Sequence, residues 1–407
     1  MFLHYNHVDR ARIRMARLAV VLLFFFNGTV IATWAARIPA IQAKLGLPPG
    51  QLGIALLGSA VGALVAMNVS SRVAARFGSA VVTLISGICL CMALVLLSLA
   101  PNLPWLVLAL FFFGASNGSM DVTMNMQGSA VEQDYGSPIF SSFHAFYSVG
   151  ALLGAFAGGI FATYAIDPFA HFVCVAVIAL LGMFVCARFL LPASAVVTKI
   201  EKKERARKAF FVRPSRLLVA LALISFCALV SEGAMSDWSA VYLANTAHSG
   251  AGLAAAGYAV FSLCMAIGRG VGDYMAARLG PSILIRICGL LAALGLALGL
   301  IFPWTPLVLL GLGCVGLGLS VLFPLVLSAA GRLFKNSSET AISTLATCGY
   351  TGFLVGPPVI GFVADHFGLR ISLGFVVLLC LITASLAGVT ASSAPTTVST
   401  VQESLVD

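Results

Sequence analysis

Two acidic residues lie in the middle of long apolar segments, where their side chains are suited to proton transfer. Asp121 has Asn117 and Asn125 four residues to either side, so the three side chains share one face of a predicted helix. Glu232 lies near the centre of another apolar segment. A carboxylate inside a membrane is costly unless it is paired or protonated, so we predict that Asp121 or Glu232 binds and releases a proton. The alternative is that both only hydrogen-bond neighbouring helices.

Other polar and aromatic side chains are candidates to complete a cavity around these carboxylates. They lie in the first, fifth, seventh, eighth and eleventh apolar segments and are Asn27, Trp34, His144, Tyr147, Asp237, Trp238, Tyr258 and Thr347. Any one of them alone is more often a helix–helix hydrogen bond than a ligand. Together they predict a polar cavity with aromatic walls, which suits a small hydrogen-bonding solute.

Four charged residues near predicted helix ends are candidates for gating. Arg76 and Arg278 lie close to turns that follow apolar segments, and Arg269 and Asp273 are four residues apart. Residues at i and i+4 are neighbours on a helix, so we predict an Arg269–Asp273 ion pair at one end of the eighth segment.

The cysteines and glycines predict no metal, cofactor or nucleotide site. All ten cysteines lie in apolar segments, without a C-x-x-C pair or a histidine at zinc spacing. The match to G-x-G-x-x-G at 311–316 lies inside an apolar segment rather than after a strand. The six histidines are scattered, so the clustered catalytic groups of a membrane enzyme are not predicted either.

The elements that position these residues are predicted to be membrane helices. Hydrophobic residues make up 60% of the 407 residues and charged residues 9%, and the mean hydropathy is +1.05. Soluble domains carry about 25% charged residues, so this chain must face lipid. Apolar stretches of spanning length predict about twelve helices, six in residues 18–191 and six in 217–390.

An internal repeat relates the two sets of helices. Ala75-Arg76-Phe77-Gly78 returns as Ala277-Arg278-Leu279-Gly280, and the glycines at 150, 154 and 159 return at 352, 356 and 361, always 202 residues later. The sequence therefore predicts an all-α membrane protein of two pseudo-symmetric six-helix bundles, an architecture that can open alternately to either side.

The distribution of Lys and Arg predicts the orientation. Basic residues are concentrated in the N-terminal segment 1–17 and in the linker 192–216, which an even number of spans places on one side. The positive-inside rule assigns that side, together with the tail 391–407, to the cytoplasm. Orientation thus explains the net charge of +9 more simply than a nucleic-acid partner does.

The two six-helix halves, the long central loop and the Arg-x-Gly turns after the second and eighth spans resemble the major facilitator superfamily over essentially the whole chain. More narrowly, the segments 27–39, 118–125 and 231–238 are similar to a poorly characterised branch of bacterial inner-membrane permeases, distantly akin to fucose permeases. Those permeases carry an acidic residue followed by Asn in the fourth span, which Asp121 and Asn125 match. The resemblance implies a proton-coupling role for Asp121.

One departure from the superfamily concerns its loop motif. An acidic residue precedes the Arg in that motif, whereas Ala75 and Ala277 occupy those positions here. The usual charge latch at the inner gate is therefore in doubt, and Asp273 is the candidate substitute.

These observations predict a transporter and not an enzyme. The leading hypothesis is a proton-coupled secondary transporter of the bacterial inner membrane that acts as a monomer, by alternating access, with both termini in the cytoplasm. We expect it to take up a sugar-like or other small polar solute. The alternative is proton-driven efflux of amphipathic or drug-like compounds, for which the many Phe residues would line the cavity.

Overall fold

The computed structural model describes residues 10–137, 139–192, 215–334 and 338–391. These residues form helices almost throughout, and the described part contains no strand. In chain order the helices are α1 (Arg10–Leu45), α2 (Pro49–Phe77), α3 (Ser79–Leu99), α4 (Leu103–Tyr135), α5 (Phe140–Thr163), α6 (Pro168–Ala187), α7 (Arg216–Asn245), α8 (Ala251–Leu279), α9 (Pro281–Ile301), α10 (Thr305–Leu319), α11 (Leu322–Leu333) and α12 (Ser338–Leu386). Most of the predicted linker and tail lies outside the described residues.

The predicted count of about twelve spans is confirmed once α12 is divided. Among the described residues, 11 helices are long and apolar enough to cross a membrane, α10 and α11 together forming one of them. The last candidate has 51 residues, whereas one crossing needs about 20. Gly368 interrupts α12 with φ 78° and ψ 156°. Beyond it the Ser372 hydroxyl donates to the carbonyl of Ile360 at 2.6 Å, although a straight helix would separate these residues by about 18 Å.

The repeat seen in the sequence extends to helix bounds and backbone geometry. The helices α2 and α8 begin and end 202 residues apart (49–77 and 251–279), and so do α3 and α9 (79–99 and 281–301). Gly78 (φ 88°, ψ 140°) and Gly280 (φ 79°, ψ 151°) make the same turn in the two halves. A positive φ favours glycine because it has no Cβ. The two halves are therefore copies of one six-helix bundle.

Close backbone contacts hold each bundle together. A Cβ atom at Gly150 on α5 would overlap the carbonyl oxygen of Phe25 on α1, and a Cβ atom at Gly114 on α4 would overlap that of Ser59 on α2. Small residues permit this approach, which is the usual basis of helix packing in lipid, where burial of apolar surface contributes little between helices.

The two halves meet closely at one end of the molecule, which we call the closed face. It comprises the end of α1, α5 and α7 and the beginning of α2 and α8. Here the Gly50 N–H donates to Asp365 Oδ1 at 2.8 Å, and the Asn245 amide donates to Gln42 Oε1 at 3.3 Å. The opposite end, the basic face, carries exposed arginines at the end of α2 and α8, including Arg72 and Arg76.

The contacts at the closed face follow the repeat. On one side Gly361 of α12 lies against Pro49 and Gly50 of α2. On the other, 202 residues displaced, Gly159 of α5 lies against Gly252 of α8. Glycine at these positions allows helices from different halves to touch through their backbones, so the closed face is sealed along two pseudo-equivalent seams.

Candidate functional site

A cavity of about 250 Å³ lies between the halves. Helices α1, α2 and α4 of the first half and α7 and α12 of the second line it. Its aromatic walls are Trp34, Phe113, Tyr350 and Phe353, and its polar groups include Ser59, Asn117, Ser236 and Asp237. Since the halves are sealed at the closed face, the cavity belongs to a conformation that is shut on that side.

Three of the predicted site residues line this cavity, namely Trp34, Asn117 and Asp237. Trp34 packs against Phe113, with ring centroids 6.4 Å apart. On the first-half wall, Asn27 is buried and its amide donates to Asn117 Oδ1 at 3.0 Å. This bond connects α1 to α4 and occupies the Asn117 oxygen, so the Asn117 amide N–H groups remain to face a solute.

Asp121 lies on the same face of α4 as Asn117, one turn nearer the basic face. Asn125 Nδ2 donates to Asp121 Oδ1 at 3.0 Å and to the Asp121 carbonyl at 2.8 Å. The phenols of Tyr147 and Tyr350 are close enough to Asp121 to interact with it electrostatically. Asp121 is thus held by a neutral amide from its own helix and has tyrosines of α5 and α12 as electrostatic neighbours.

Glu232 has a different partner. Arg269 Nη2 donates to Glu232 Oε1 at 3.3 Å, which joins α7 to α8, and the Arg269 and Glu232 side chains are 38% and 27% exposed. The predicted Arg269–Asp273 pair is therefore wrong. The i, i+4 spacing allowed that pair, but Asp273 lies one turn nearer the end of α8 and is exposed, whereas Glu232 is in the middle of α7 and has more to gain from a counter-charge.

The predicted residues of α5 approach this ion pair from the first half, and Tyr258 of α8 approaches it from within the second half. Tyr147 interacts electrostatically with both Glu232 and Arg269, and Tyr258 interacts with Glu232. His144 packs its ring on Phe24, with centroids 5.0 Å apart. The structure therefore gathers Tyr147, Tyr258 and the Glu232–Arg269 pair into one polar group beside the cavity.

Trp238 and Thr347 do not line the cavity. Trp238 is fully buried, because it follows Asp237 and so points about 100° away around α7. Thr347 donates its hydroxyl to the carbonyl of Ser343, one turn back in its own helix. A threonine in a helix commonly satisfies its donor in this way.

The predicted gating arginines make local contacts in this conformation. Arg76 stacks on Phe77 at 5.3 Å, and Arg278 stacks on Tyr274 at 4.6 Å. Within the described residues, neither arginine forms an ion pair with the other half.

The prediction missed part of the lining contributed by α12. Tyr350, Phe353 and Pro357 line the cavity together. Their spacing of three and four residues is the sequence signal of a shared helix face. In the described part of the chain, no group of three or more His, Cys, Asp or Glu residues is placed to hold a metal ion.

Comparison with known proteins agrees with this architecture. The family model described as Major Facilitator Superfamily matches residues 18–357. The membrane protein MosC of Rhizobium meliloti is 33% identical over 366 residues, covering 90% of this chain and 88% of its own length. An uncharacterised MFS-type transporter of Yersinia pestis is 32% identical over 368 residues, covering 90% of this chain and 93% of its own length.

Two solved structures share the fold. A bacterial homologue of the human lysosomal transporter Spinster, in an inward-facing and occupied conformation, superposes with a TM-score of 0.72 at 14% identity, covering 94% of this chain and 97% of its own. The nucleoside transporter NupG superposes with a TM-score of 0.69 at 12% identity, covering 93% and 100%. Members of this family are transporters rather than enzymes, as predicted. The chain belongs to the Major Facilitator Superfamily and is a multi-pass membrane protein that carries out secondary transport of a small solute.

Proposed function

We propose that the chain is a proton-coupled importer of a small polar solute and that Asp121 is its coupling carboxylate. The main support for the proposal is that the hydrogen-bond partner of Asp121 is neutral. Within the described residues, Asp121 is bonded to the amide of Asn125 and has no basic partner, whereas Glu232 is paired with Arg269. A carboxylate without a basic partner in a membrane helix is stabilised by taking up a proton, so of Asp121 and Glu232 we take Asp121 as the better proton carrier.

The sidedness of the cycle rests on the positive-inside rule. Exposed arginines lie at the end of α2 and α8, and we infer from them that the basic face is the cytoplasmic face of a bacterial inner membrane. The proposal also takes both chain termini to be cytoplasmic. The described conformation is then closed to the outside. Protonation of Asp121 from the outside, followed by release of the proton to the cytoplasm, would link solute entry to the proton gradient.

The test compares Asp121→Asn with the wild type in proteoliposomes. A thermal-shift panel of sugars, amino acids, nucleosides and lipophilic cations first supplies a solute that binds. We expect Asp121→Asn to lose at least tenfold in accumulation driven by an imposed proton gradient, while exchange of labelled for unlabelled solute continues because exchange needs no net proton movement.

The matched control is Asp134→Asn, which makes the same chemical change at an exposed position near the end of α4. This variant is expected to accumulate solute as the wild type does. Undiminished proton-driven accumulation by Asp121→Asn would show that the coupling group is elsewhere.

A second candidate function is efflux of amphipathic compounds, which the aromatic walls of the cavity favour. Growth assays separate the two candidates. Deletion of the gene would sensitise cells to amphipathic cations if the chain exports them, and would abolish growth on the transported solute if the chain imports it.

A further inference from the structure

Asp237 differs from the other two acidic residues in the middle of the membrane helices, Asp121 and Glu232. Asp121 accepts a hydrogen bond from Asn125, and Glu232 pairs with Arg269. The Asp237 carboxylate lines the cavity, and within the described residues no hydrogen bond or ion pair joins it to a protein group. The Tyr258 phenol is its electrostatic neighbour and is not a cation.

The rest of the cavity lining offers no counter-charge. Among the residues that line the cavity, none is Lys, Arg or His. Aromatic side chains, Trp34 and Tyr350 among them, form its walls, and the faces of such rings attract cations. A carboxylate that faces an aromatic cavity without a basic residue is complementary to a cation supplied by the solute.

The remaining polar groups and the size of the cavity restrict that solute further. Ser59, Asn117 and Ser236 present hydroxyl and amide groups to the cavity, which suit hydroxyl groups on a ligand. The volume of about 250 Å³ is below the range of pockets for drug-sized molecules, which begins near 300 Å³.

We propose that the cavity recognises a small hydroxylated primary amine, whose ammonium group pairs with Asp237 beside Trp34 and Tyr350. This inference rests on the proposed transport function and names its substrate class. It assigns recognition to Asp237 and leaves proton coupling to Asp121, so the two carboxylates do separate work in one transport cycle.

The test measures binding to the purified full chain in detergent, with two matched pairs of probes. Glucosamine and glucose differ by an amino group in place of one hydroxyl, and so do serinol and glycerol. We expect the wild type to bind the amine of at least one pair about tenfold to a hundredfold more tightly than the matched alcohol, the range that corresponds to one charged hydrogen bond. In Asp237→Asn the preference should disappear.

Two further variants keep the result interpretable. Asp237→Glu retains the charge and should retain the preference for the amine, which shows that the site folds when position 237 is changed. Asp134→Asn removes an exposed carboxylate outside the cavity and should leave the preference unchanged.

Four results would overturn the inference, three of them from the matched pairs of probes. Those three are equal affinity for amine and alcohol in the wild type, a preference that persists in Asp237→Asn, and binding of neither amine. Tighter binding of phenethylamine than of both hydroxylated amines would also overturn it and would favour efflux. The binding test uses no proton gradient, so a failed Asp121→Asn transport test would not affect the conclusion about Asp237. Likewise, a failed binding test would not affect the conclusion about Asp121.

Discussion

At the scale of single residues, the three acidic groups of the central helices differ in what balances their charge. A neutral amide holds Asp121, a guanidinium holds Glu232, and Asp237 faces the cavity without a bonded partner in the described chain. Burying a charge is tolerated when something compensates for it, so the partner of each group constrains its role. The amide partner suits proton exchange, the ion pair suits a fixed link between α7 and α8, and the open carboxylate suits a ligand.

The Glu232–Arg269 pair is predicted to be a coupled unit. Arg269→Gln should lower the free energy of unfolding by about 1 kcal/mol, because Glu232 loses its counter-charge while remaining partly solvated. The double variant Glu232→Gln, Arg269→Gln should be more stable than the sum of the single effects implies. Unfolding midpoints in detergent measure this.

Arg278→Gln is the control for that cycle, because Arg278 stacks on Tyr274 rather than on an acidic group. The changes in the free energy of unfolding caused by Arg278→Gln and Glu232→Gln should simply add in the double variant. Strict additivity of the Glu232 and Arg269 variants would show that the observed contact contributes nothing.

Contacts between residues of one helix could be predicted from their spacing in the sequence. Contacts with a neighbouring helix could not. The four-residue spacing placed Asn117, Asp121 and Asn125 on one helix face, and in the structure Asn125 bonds to Asp121 while Asn117 lines the cavity. The same rule predicted Asp273 as the partner of Arg269, whereas the observed partner is Glu232. Spacing identifies which residues can touch on one helix and contains no information about the neighbouring helix α7. It also could not separate Asp237 from Trp238, which are adjacent in sequence but point in different directions.

At the scale of elements, the seam between α2 and α12 depends on a helix cap supplied by the other half. Pro48 precedes α2 and has no side chain that can cap it, so the first N–H groups of the helix need another acceptor. Asp365 on α12 provides one by accepting from the Gly50 N–H. The bond forms only when the closed face is shut, so it stabilises that conformation selectively.

Asp365→Ala, which removes the acceptor oxygen, is expected to weaken the closed face. Loss of an N-cap costs about 1 kcal/mol, so amides in the first turn of α2 should exchange with deuterium roughly fivefold faster. Hydrogen exchange followed by mass spectrometry resolves peptides that cover 49–56.

The matched control is Asp167→Ala, which removes the cap of α6 within one half, where Asp167 accepts from the Phe169 N–H at 2.8 Å. This variant should accelerate exchange at the beginning of α6 and leave α2 unchanged. If α2 exchanges at the same rate in Asp365→Ala and in the wild type, the cap does not hold the seam.

At the scale of the whole molecule, duplication explains both the fold and the transport cycle. The twelve spans, the two bundles and the turns at Gly78 and Gly280 were predictable, because apolar length, charge distribution and a constant shift of 202 residues are all visible in the sequence. Which face is shut was not predictable, because a repeat describes two related halves and leaves their relative tilt open.

Backbone contact at the closed face is predicted to be necessary for the cycle. Gly361→Ala places a methyl group against Pro49 and Gly50, so the closed face should fail to seal and solute accumulation should fall at least tenfold. Gly374→Ala, where no atom lies within 4 Å of the added Cβ, should transport as the wild type does. Transport by Gly361→Ala at the wild-type rate would mean that the seam tolerates separation.

The two seams of the closed face, equivalent in the repeat, differ in one hydrogen bond. Where α12 presents the Asp365 carboxylate to Gly50, the corresponding residue of α5 is Thr163, whose hydroxyl donates within its own helix to Gly159. The α5–α8 seam therefore lacks the cap that fastens α2 to α12. We expect separation to start at α5–α8 and the bundles to pivot about α2–α12, so that the molecule opens as a one-sided hinge.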